Sequence, residues 1–316
     1  MRWSPQLLGA ILLGIALFIA LLILLRFAER RLKKSSLKPG IIHLISGLLG
    51  ALEIFALVHG MFYFAQDFVL FQPNRDLNSW EYLVAQPAFE AAEVVSGKKT
   101  WHGMLRRAET DDPSPLILLF CGNGQNAAQV MRGIDQSGMW PHKDYSYLLM
   151  DYAGYGINGG LPSARDMCEE ALAAFDYAST LPGVSGVIAG GYSIGTGPAT
   201  YLAAHREVAG LFLLAPFANS YDLYNSVLPI FYGPLRLAVK HKFLSDEYAQ
   251  AVRVPALVAA SRDDEVIPFA SSETLYSRLG GESIFIPLTG VGHGSFLFNR
   301  TVLDGIEAYL ETLEFH

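Results

Sequence analysis

Short apolar runs alternate with helical patterns from about residue 67 to the C terminus. Most of the runs hold about four to eight apolar residues between Gly, Pro, Asp or Asn, which is typical of strands buried on both faces. They are LILLFCGN (116–123), YSYLLMDYAGYG (145–156), GVIAGGYS (186–193), GLFLLAPF (210–217), PALVAASRDD (255–264) and SIFIPLTGVGH (283–293). Because strands that alternate with helices form parallel sheets, the pattern predicts an α/β domain over 67–316, with helices on both faces of a mostly parallel sheet.

Three further patterns refine this domain. Ser163 is a helix N-cap residue, and the segment after it (164–180) predicts a helix with Glu169 and Glu170 near its beginning. The less regular segment 88–108 predicts antiparallel edge strands. The segment 218–252 interrupts the alternation and is rich in Tyr, Leu and Phe, so we expect it to form a cap.

Residues 1–66 predict a membrane region. The segment LLGAILLGIALFIALLILLRF (7–27) is apolar except for Arg26, and at about 1.5 Å per residue it is long enough to cross a bilayer. A secretory signal peptide is the alternative, but its apolar core is shorter and its basic residues come first. Here most basic residues follow, in the connector 28–40, so we predict a retained span.

A second apolar segment (41–64) predicts another span, which would form a hairpin with the first. Its Gly47, Gly50 and Ala51 would permit close helix packing, whereas Glu53 at mid-span would cost a few kcal/mol. An interfacial or core helix is the alternative. The positive-inside rule places the basic connector in the cytoplasm. Two spans then leave the α/β domain outside the cytoplasm, and one span leaves it inside.

The charge distribution excludes one class of partner. The chain has 23 Lys and Arg against 30 Asp and Glu, a net charge of −7, and residues 1–71 carry +4 of it, which leaves −11 for the rest. An acidic domain argues against nucleic-acid binding. The two cysteines, Cys121 and Cys168, have no metal or redox spacing, and we expect them to be small buried residues.

A candidate nucleophile follows the apolar run at 186–189. Gly191-Tyr-Ser193-Ile-Gly195 has the small residues that a tight strand-to-helix turn requires. Such a turn exposes a serine hydroxyl and directs the backbone N–H of Ile194 at a developing oxyanion. Taken alone, the motif also describes an ordinary glycine-rich turn.

The order of later residues favours the nucleophile. Asp263 and Asp264 follow the predicted strand at 255–260, and His293 follows the strand at 284–287. Nucleophile, acid and base therefore occur in the order that a serine hydrolase on an α/β sheet requires, each past a strand end. His293 would be the general base for Ser193, and an aspartate would fix its tautomer.

A second oxyanion donor is expected after the strand at 116–120, where Cys121-Gly122-Asn123-Gly124 leads into a helix. The backbone N–H of Asn123 is the candidate, because Gly122 permits close backbone approach. A plain turn is the alternative.

From about residue 69 onward the chain resembles α/β-hydrolase-fold serine hydrolases, and most closely their membrane-anchored ABHD-type subgroup. The likeness lies in CGNGQN (121–126), DYAGYGINGGLPS (151–163), GYSIGTG (191–197), SRDDEVIP (261–268) and GVGHGS (290–295), with a short cap from YDLYNSVLPIF onward. The resemblance implies a triad of Ser193, Asp264 and His293, since Asp264-Glu-Val-Ile-Pro fits the family pattern. It implies structural roles for Asp151 and Gly154. Cys121 stands where the family usually has His, so the loop lacks the support that the family's histidine side chain gives.

The resemblance implies an esterase-, thioesterase- or lipase-like enzyme that cleaves a carboxylic ester or thioester through an acyl-serine. The anchor and the apolar cap suggest a lipid-like or long-chain substrate beside an integral membrane location, in a bacterium the inner membrane. The triad needs no metal or organic cofactor. A serine peptidase of the same fold and a non-catalytic membrane scaffold are the alternatives.

Overall fold

The computed structural model describes residues 5–141, 144–227 and 229–315; for 5–13, 17, 64, 65, 67–69, 226, 227 and 234 it describes the backbone alone. The chain forms two compact units, Met1–Leu70 and Phe71–His316.

The first unit is a pair of long helices, α1 (Pro5–Lys33) and α2 (Pro39–Val69). The Arg26 guanidinium of α1 lies 3.0 Å from the carboxylate of Glu53 in α2, which gives this buried acid a charged partner. Phe18 packs on Gly60, where a Cβ would lie 3.1 Å from its ring. The prediction that Gly47 and Gly50 provide the close contact is wrong, because no atom comes within 4 Å of a Cβ at either position.

One helical segment among the described residues, Pro39–Tyr63, is long and apolar enough to cross a membrane. It coincides with the second predicted span. The first predicted span, 7–27, lies on α1. The side chains of 7–13 are outside the described residues, so this span stays a prediction.

The second unit is built on an eight-stranded sheet in the order β1-β2-β4-β3-β5-β6-β7-β8. The strands are β1 (Phe89–Ser96), β2 (Lys99–Arg106), β3 (Ser114–Phe120), β4 (Ser146–Met150), β5 (Val184–Tyr192), β6 (Gly210–Leu214), β7 (Ala256–Ser261) and β8 (Ser283–Leu288). β1 and β2 pair antiparallel with each other, and β2 pairs antiparallel with β4. The six strands β3 to β8 are all parallel to one another. The mostly parallel sheet and its antiparallel edge are therefore as predicted.

Helices cover the sheet because its central strands are apolar on both faces. They are α3 (Asn78–Val84), α4 (Ala127–Ser137), α5 (Ala164–Ala178), α6 (Thr196–His205), α7 (Ser220–Val227), α8 (Ser245–Ala249), α9 (Phe269–Tyr276) and α10 (Arg300–Leu310). In β3, Ile117 and Leu119 belong to the core shared with α4 and α10, while Leu116 and Leu118 are buried on the other face. The Ser163 hydroxyl accepts a hydrogen bond from the Asp166 N–H, so α5 begins where its cap predicts.

The chain between β6 and β7 contains α7, a 3-10 turn (Gly233–Ala238) and α8. This is the segment expected to form a cap. Its Phe231 and Phe243 side chains are buried, whereas Tyr232 is 58% and Leu237 is 72% exposed.

Candidate active site

Ser193 lies at a sharp turn between β5 and α6. The strand ends at Tyr192, and a 3-10 turn (Ser193–Gly195) leads directly into the helix. The Ser193 backbone has a φ of 52°, in the left-handed region that L residues rarely adopt and that is found where a site requires strain.

Steric limits explain the two glycines of this turn. A Cβ on Gly191 would lie 2.5 Å from the Gly195 carbonyl oxygen, and a Cβ on Gly195 would lie 2.2 Å from the carbonyl oxygen of Phe120, at the end of β3. Only glycine allows the strand, the turn and β3 to approach this closely. The motif is therefore a packing requirement of the turn that presents Ser193.

His293 lies within hydrogen-bond distance of both other predicted triad residues. The distance from His293 Nε2 to Ser193 Oγ is 2.8 Å, and that from His293 Nδ1 to Asp264 Oδ2 is also 2.8 Å. With the Nδ1 proton assigned to the bond with Asp264, Nε2 presents a lone pair to the Ser193 hydroxyl. The arrangement can therefore take a proton from Ser193.

The two neighbouring aspartates have different positions. Asp264 faces His293, and its other carboxylate oxygen accepts the N–H groups of Val266 and Ile267, both at 2.8 Å. Its side chain is 2% exposed, so its orientation is fixed. The Asp263 carboxylate instead accepts the Gly290 N–H at 2.6 Å. Asp263 thus shapes the loop, and Asp264 contacts the histidine.

Two residues that the sequence analysis did not single out hold His293. The Tyr192 hydroxyl donates to the His293 carbonyl oxygen at 2.6 Å, and the two rings stack with centroids 5.5 Å apart. The Glu265 carboxylate accepts the His293 backbone N–H at 3.0 Å, and this bond lowers the pKa of Glu265. Tyr192 directly precedes Ser193, and Glu265 directly follows Asp264. Their place beside predicted triad residues is the sequence signal that could have indicated them.

The candidate oxyanion loop, residues 121–126, lies against the Ser193 turn. A Cβ on Gly122 would come within 2.7 Å of the Tyr192 ring, so the residue before Asn123 packs against the residue before Ser193. The Cys121 carbonyl oxygen accepts the Tyr152 hydroxyl at 2.9 Å. Burial raises the pKa of the Cys121 thiol well above its usual value, so the thiol is neutral.

Asp151 fixes the far end of this loop. Its carboxylate accepts the N–H of Ala127, the first residue of α4, at 2.7 Å. Burial raises the pKa of Asp151 to about 7, because desolvation disfavours the charged carboxylate. The carboxyl group therefore changes charge near neutral pH, beside the loop that carries Asn123.

No protein-family model matches the chain, but individual proteins do. The uncharacterized protein Rv2307c of Mycobacterium tuberculosis is 30% identical over 201 residues, which cover 62% of this chain and 69% of that protein. The alpha/beta hydrolase domain-containing protein aho-3 of Caenorhabditis elegans is 29% identical, covering 63% and 58%. The lysophosphatidylserine lipase ABHD12 of Danio rerio is 28% identical, covering 60% and 59%. The match thus spans less than two thirds of the latter two proteins.

Among solved structures, the Pyrococcus furiosus esterase Pf2001 matches with a TM-score of 0.58 and 14% sequence identity, covering 77% of this chain and 99% of that one. At this identity the likeness concerns the fold. Together with the sequence relatives it confirms the expected architecture. The chain is a hydrolase-fold protein of the ABHD type and belongs to the α/β-hydrolase family.

Proposed function

We propose that this protein is a membrane-anchored serine hydrolase that cleaves a carboxylic ester or thioester of a lipid-like or long-chain acyl substrate through an acyl-serine. The observation that carries the proposal is the hydrogen-bonded series Ser193, His293 and Asp264, with two distances of 2.8 Å, on a turn where Ser193 has a φ of 52°. A glycine-rich turn without a catalytic role would need neither that strain nor a buried acid behind the histidine.

In the first half-reaction, His293 Nε2 takes the Ser193 hydroxyl proton as Oγ attacks the substrate carbonyl carbon. The carbonyl electron pair moves onto oxygen, and the N–H groups of Ile194 and Asn123 stabilise the resulting oxyanion. Asp264 stabilises the imidazolium without taking the proton. When the carbonyl reforms, the carbon–oxygen or carbon–sulfur bond breaks, and the leaving alcohol or thiol receives the proton from His293.

In the second half-reaction, water replaces the leaving group. His293 removes a proton from the water as it attacks the acyl carbon, and a second oxyanion forms at the same donors. Collapse of this intermediate breaks the bond to Ser193 Oγ and returns the proton to it, which releases a carboxylic acid.

Two observations support a lipid-like substrate. The segment between β6 and β7 has exposed apolar side chains, with Tyr232 58% and Leu237 72% exposed. The ABHD12 relative is named for an activity on lysophosphatidylserine, which is a carboxylic ester of a lipid. Sites that bind such chains are mostly lined by apolar side chains, and we infer that the exposed side chains of this segment supply part of that lining.

The substrate class can be tested with the detergent-solubilised full chain and its Ser193→Ala variant. The panel would be matched p-nitrophenyl esters, acyl thioesters and peptide p-nitroanilides with acyl chains of increasing length. We expect Ser193-dependent turnover of esters or thioesters that increases with chain length. Turnover of the anilides alone would indicate a peptidase, and no Ser193-dependent turnover of any substrate would indicate a non-catalytic scaffold.

We also propose an integral membrane location, which in a bacterium is the inner membrane. The apolar helix Pro39–Tyr63 supports it by length and composition. With the basic connector 28–40 in the cytoplasm, the catalytic domain is extracytoplasmic if both segments span and cytoplasmic if only 7–27 spans. Alkaline phosphatase fused to the C terminus in a bacterial host would be active in the first case and inactive in the second.

A further inference from the structure

We propose that residues 71–76, which we call the strap, position the candidate oxyanion loop for catalysis, with Asn74 as the principal positioning residue. The inference rests on the proposed function, because it concerns the geometry of the same site. None of the strap residues belongs to the motifs that carry the family resemblance. The evidence is a set of hydrogen bonds that join the strap to the loop.

Asn74 connects the strap to the loop directly. Its side-chain amide donates to the Gly124 carbonyl oxygen and to the Gln129 side chain in α4, both at 3.0 Å. Gly124 has a φ of 76° and immediately follows Asn123, so the bond fixes the carbonyl of the residue next to the candidate donor. The Asn126 amide returns a bond to the Asp76 carbonyl oxygen at 2.8 Å. The strap therefore holds the loop in its middle and at its end.

A second set of bonds fixes the Asn123 side chain. Its Oδ1 accepts the Gln72 backbone N–H at 2.9 Å and the Tyr155 hydroxyl at 2.7 Å. Because the side chain is restrained by two donors, the rotation of the Asn123 backbone about φ and ψ is restrained as well. The direction of its N–H group then depends on the strap as well as on the loop.

The strap is itself held firmly. Phe71, at its beginning, is 2% exposed and contacts the His241 ring edge-on at 4.7 Å between centroids. The Arg75 guanidinium donates to the Gly154 carbonyl oxygen at 2.7 Å, and the Gly156 N–H donates to the Asn74 carbonyl oxygen at 2.8 Å. An anchored strap can transmit its position to the loop.

The hydrogen bonds from the strap matter because the side chain at position 121 gives the loop no polar support. A histidine there would add a polar side chain to the loop, whereas the Cys121 thiol is buried and neutral. Within the loop, the Gly122 N–H donates to the Gln125 side chain and the Gln125 N–H donates to the Gly122 carbonyl oxygen, and both bonds join residues on either side of Asn123. Oxyanion donors contribute only when they lie about 2.7–3.1 Å from the developing charge, so a loop without the strap bonds would lose part of that contribution.

The test uses the full chain with Asn74→Ala. Its kinetics would be measured on the best p-nitrophenyl ester, with the enzyme concentration taken from fluorophosphonate titration of Ser193. We expect kcat to fall about 10- to 100-fold, less than the roughly 100- to 1000-fold cost of removing one oxyanion donor, with KM within about twofold. An alkyl boronic acid, which forms an anionic tetrahedral adduct with the serine, should lose affinity by a similar factor, whereas a merely structural role would leave that affinity unchanged.

Two further variants keep the test decisive. Tyr155→Phe removes the hydroxyl that donates to Asn123 Oδ1 at 2.7 Å and accepts the Gln72 N–H at 3.2 Å, while Asn74 is unchanged, and it should lower kcat and boronate affinity together, about 3- to 10-fold. Asn78→Ala is the matched control, since Asn78 is exposed and its side chain makes no hydrogen bond within the part of the chain that the structure describes; it should match the wild type.

Two results would overturn the inference. One is that Asn74→Ala and Asn78→Ala have the same kcat, and the other is that kcat falls while boronate affinity stays at the wild-type value. Failure of the proposed function is a different result, because the wild type would then show no Ser193-dependent turnover before any strap variant is measured.

Discussion

Replacing Asp264 by Asn changes one atom of the proposed triad and leaves its shape. In the wild type, Asp264 Oδ1 accepts the N–H groups of Val266 and Ile267, each at 2.8 Å. In the Asn variant the amide oxygen can accept the same two bonds. The amide nitrogen then replaces Oδ2 against His293 Nδ1, at a distance of 2.8 Å. Because that nitrogen carries two protons, Nδ1 must accept, and the imidazole proton moves to Nε2.

The moved proton faces the nucleophile. Nε2 lies 2.8 Å from Ser193 Oγ. An Nε2 that already carries a proton cannot accept the proton of the Ser193 hydroxyl. The corresponding change in a serine protease triad lowers kcat about 10⁴-fold, which is about 5.5 kcal/mol at 1.36 kcal/mol for each factor of ten. We expect a loss of the same order in Asp264→Asn, with unfolding free energy changed by no more than about 1 kcal/mol because every other bond is retained.

The neighbouring Asp263→Asn is the matched control. Its carboxylate accepts the Gly290 N–H, and an amide oxygen can do the same, so we expect kcat within about threefold of the wild type. The assay is steady-state hydrolysis of a p-nitrophenyl ester, with thermal unfolding measured on the same preparations. A loss below tenfold in Asp264→Asn, or equal losses in the two variants, would refute the assignment of Asp264 as the partner of His293.

Three further changes test other parts of the structure. Gly195→Ala places a Cβ 2.2 Å from the Phe120 carbonyl oxygen, so kcat should fall at least 100-fold and the melting temperature should decrease; wild-type values of both would contradict the steric argument. Tyr192→Phe removes the 2.6 Å bond to the His293 carbonyl, and steady-state kinetics should show kcat about 3- to 10-fold lower with unchanged KM. Burial raises the pKa of Asp151 to about 7, so ionisation of this carboxyl group costs the folded state stability as pH rises from about 4 to 7. Thermal unfolding should therefore show Asp151→Asn to be more stable than the wild type at pH 8, by a few kcal/mol at most. At pH 4 the variant should have no such advantage. Equal pH profiles would contradict the shifted pKa.

The sheet and the positions of the reactive residues were predictable because they depend on local patterns. Each parallel strand is a short apolar run, and the C-terminal ends of parallel strands meet at one edge of the sheet. Ser193, Asp264 and His293 each follow such an end. Their proximity could therefore be predicted although a hundred residues separate the serine from the histidine.

The support of the site was not predictable in the same way. The bond between the Gln72 backbone N–H and Asn123 joins residues 51 positions apart, and a backbone donor in an irregular segment leaves no side-chain pattern in the sequence. The helix pair in the first unit shows the same limit. Small residues occur along α2, but Gly60 meets Phe18 whereas Gly47 and Gly50 meet nothing, because the relative rotation of the two helices decides which face is in contact.

The most direct test of the central claim is to locate the residue that reacts. The full chain would be treated with a fluorophosphonate, digested, and sequenced by tandem mass spectrometry, with His293→Ala treated in parallel. The account predicts one adduct, on the Ser193 hydroxyl, formed rapidly in the wild type and at least about 100-fold more slowly without the histidine base. No adduct, an adduct on another residue, or an equal rate in the two proteins would contradict it.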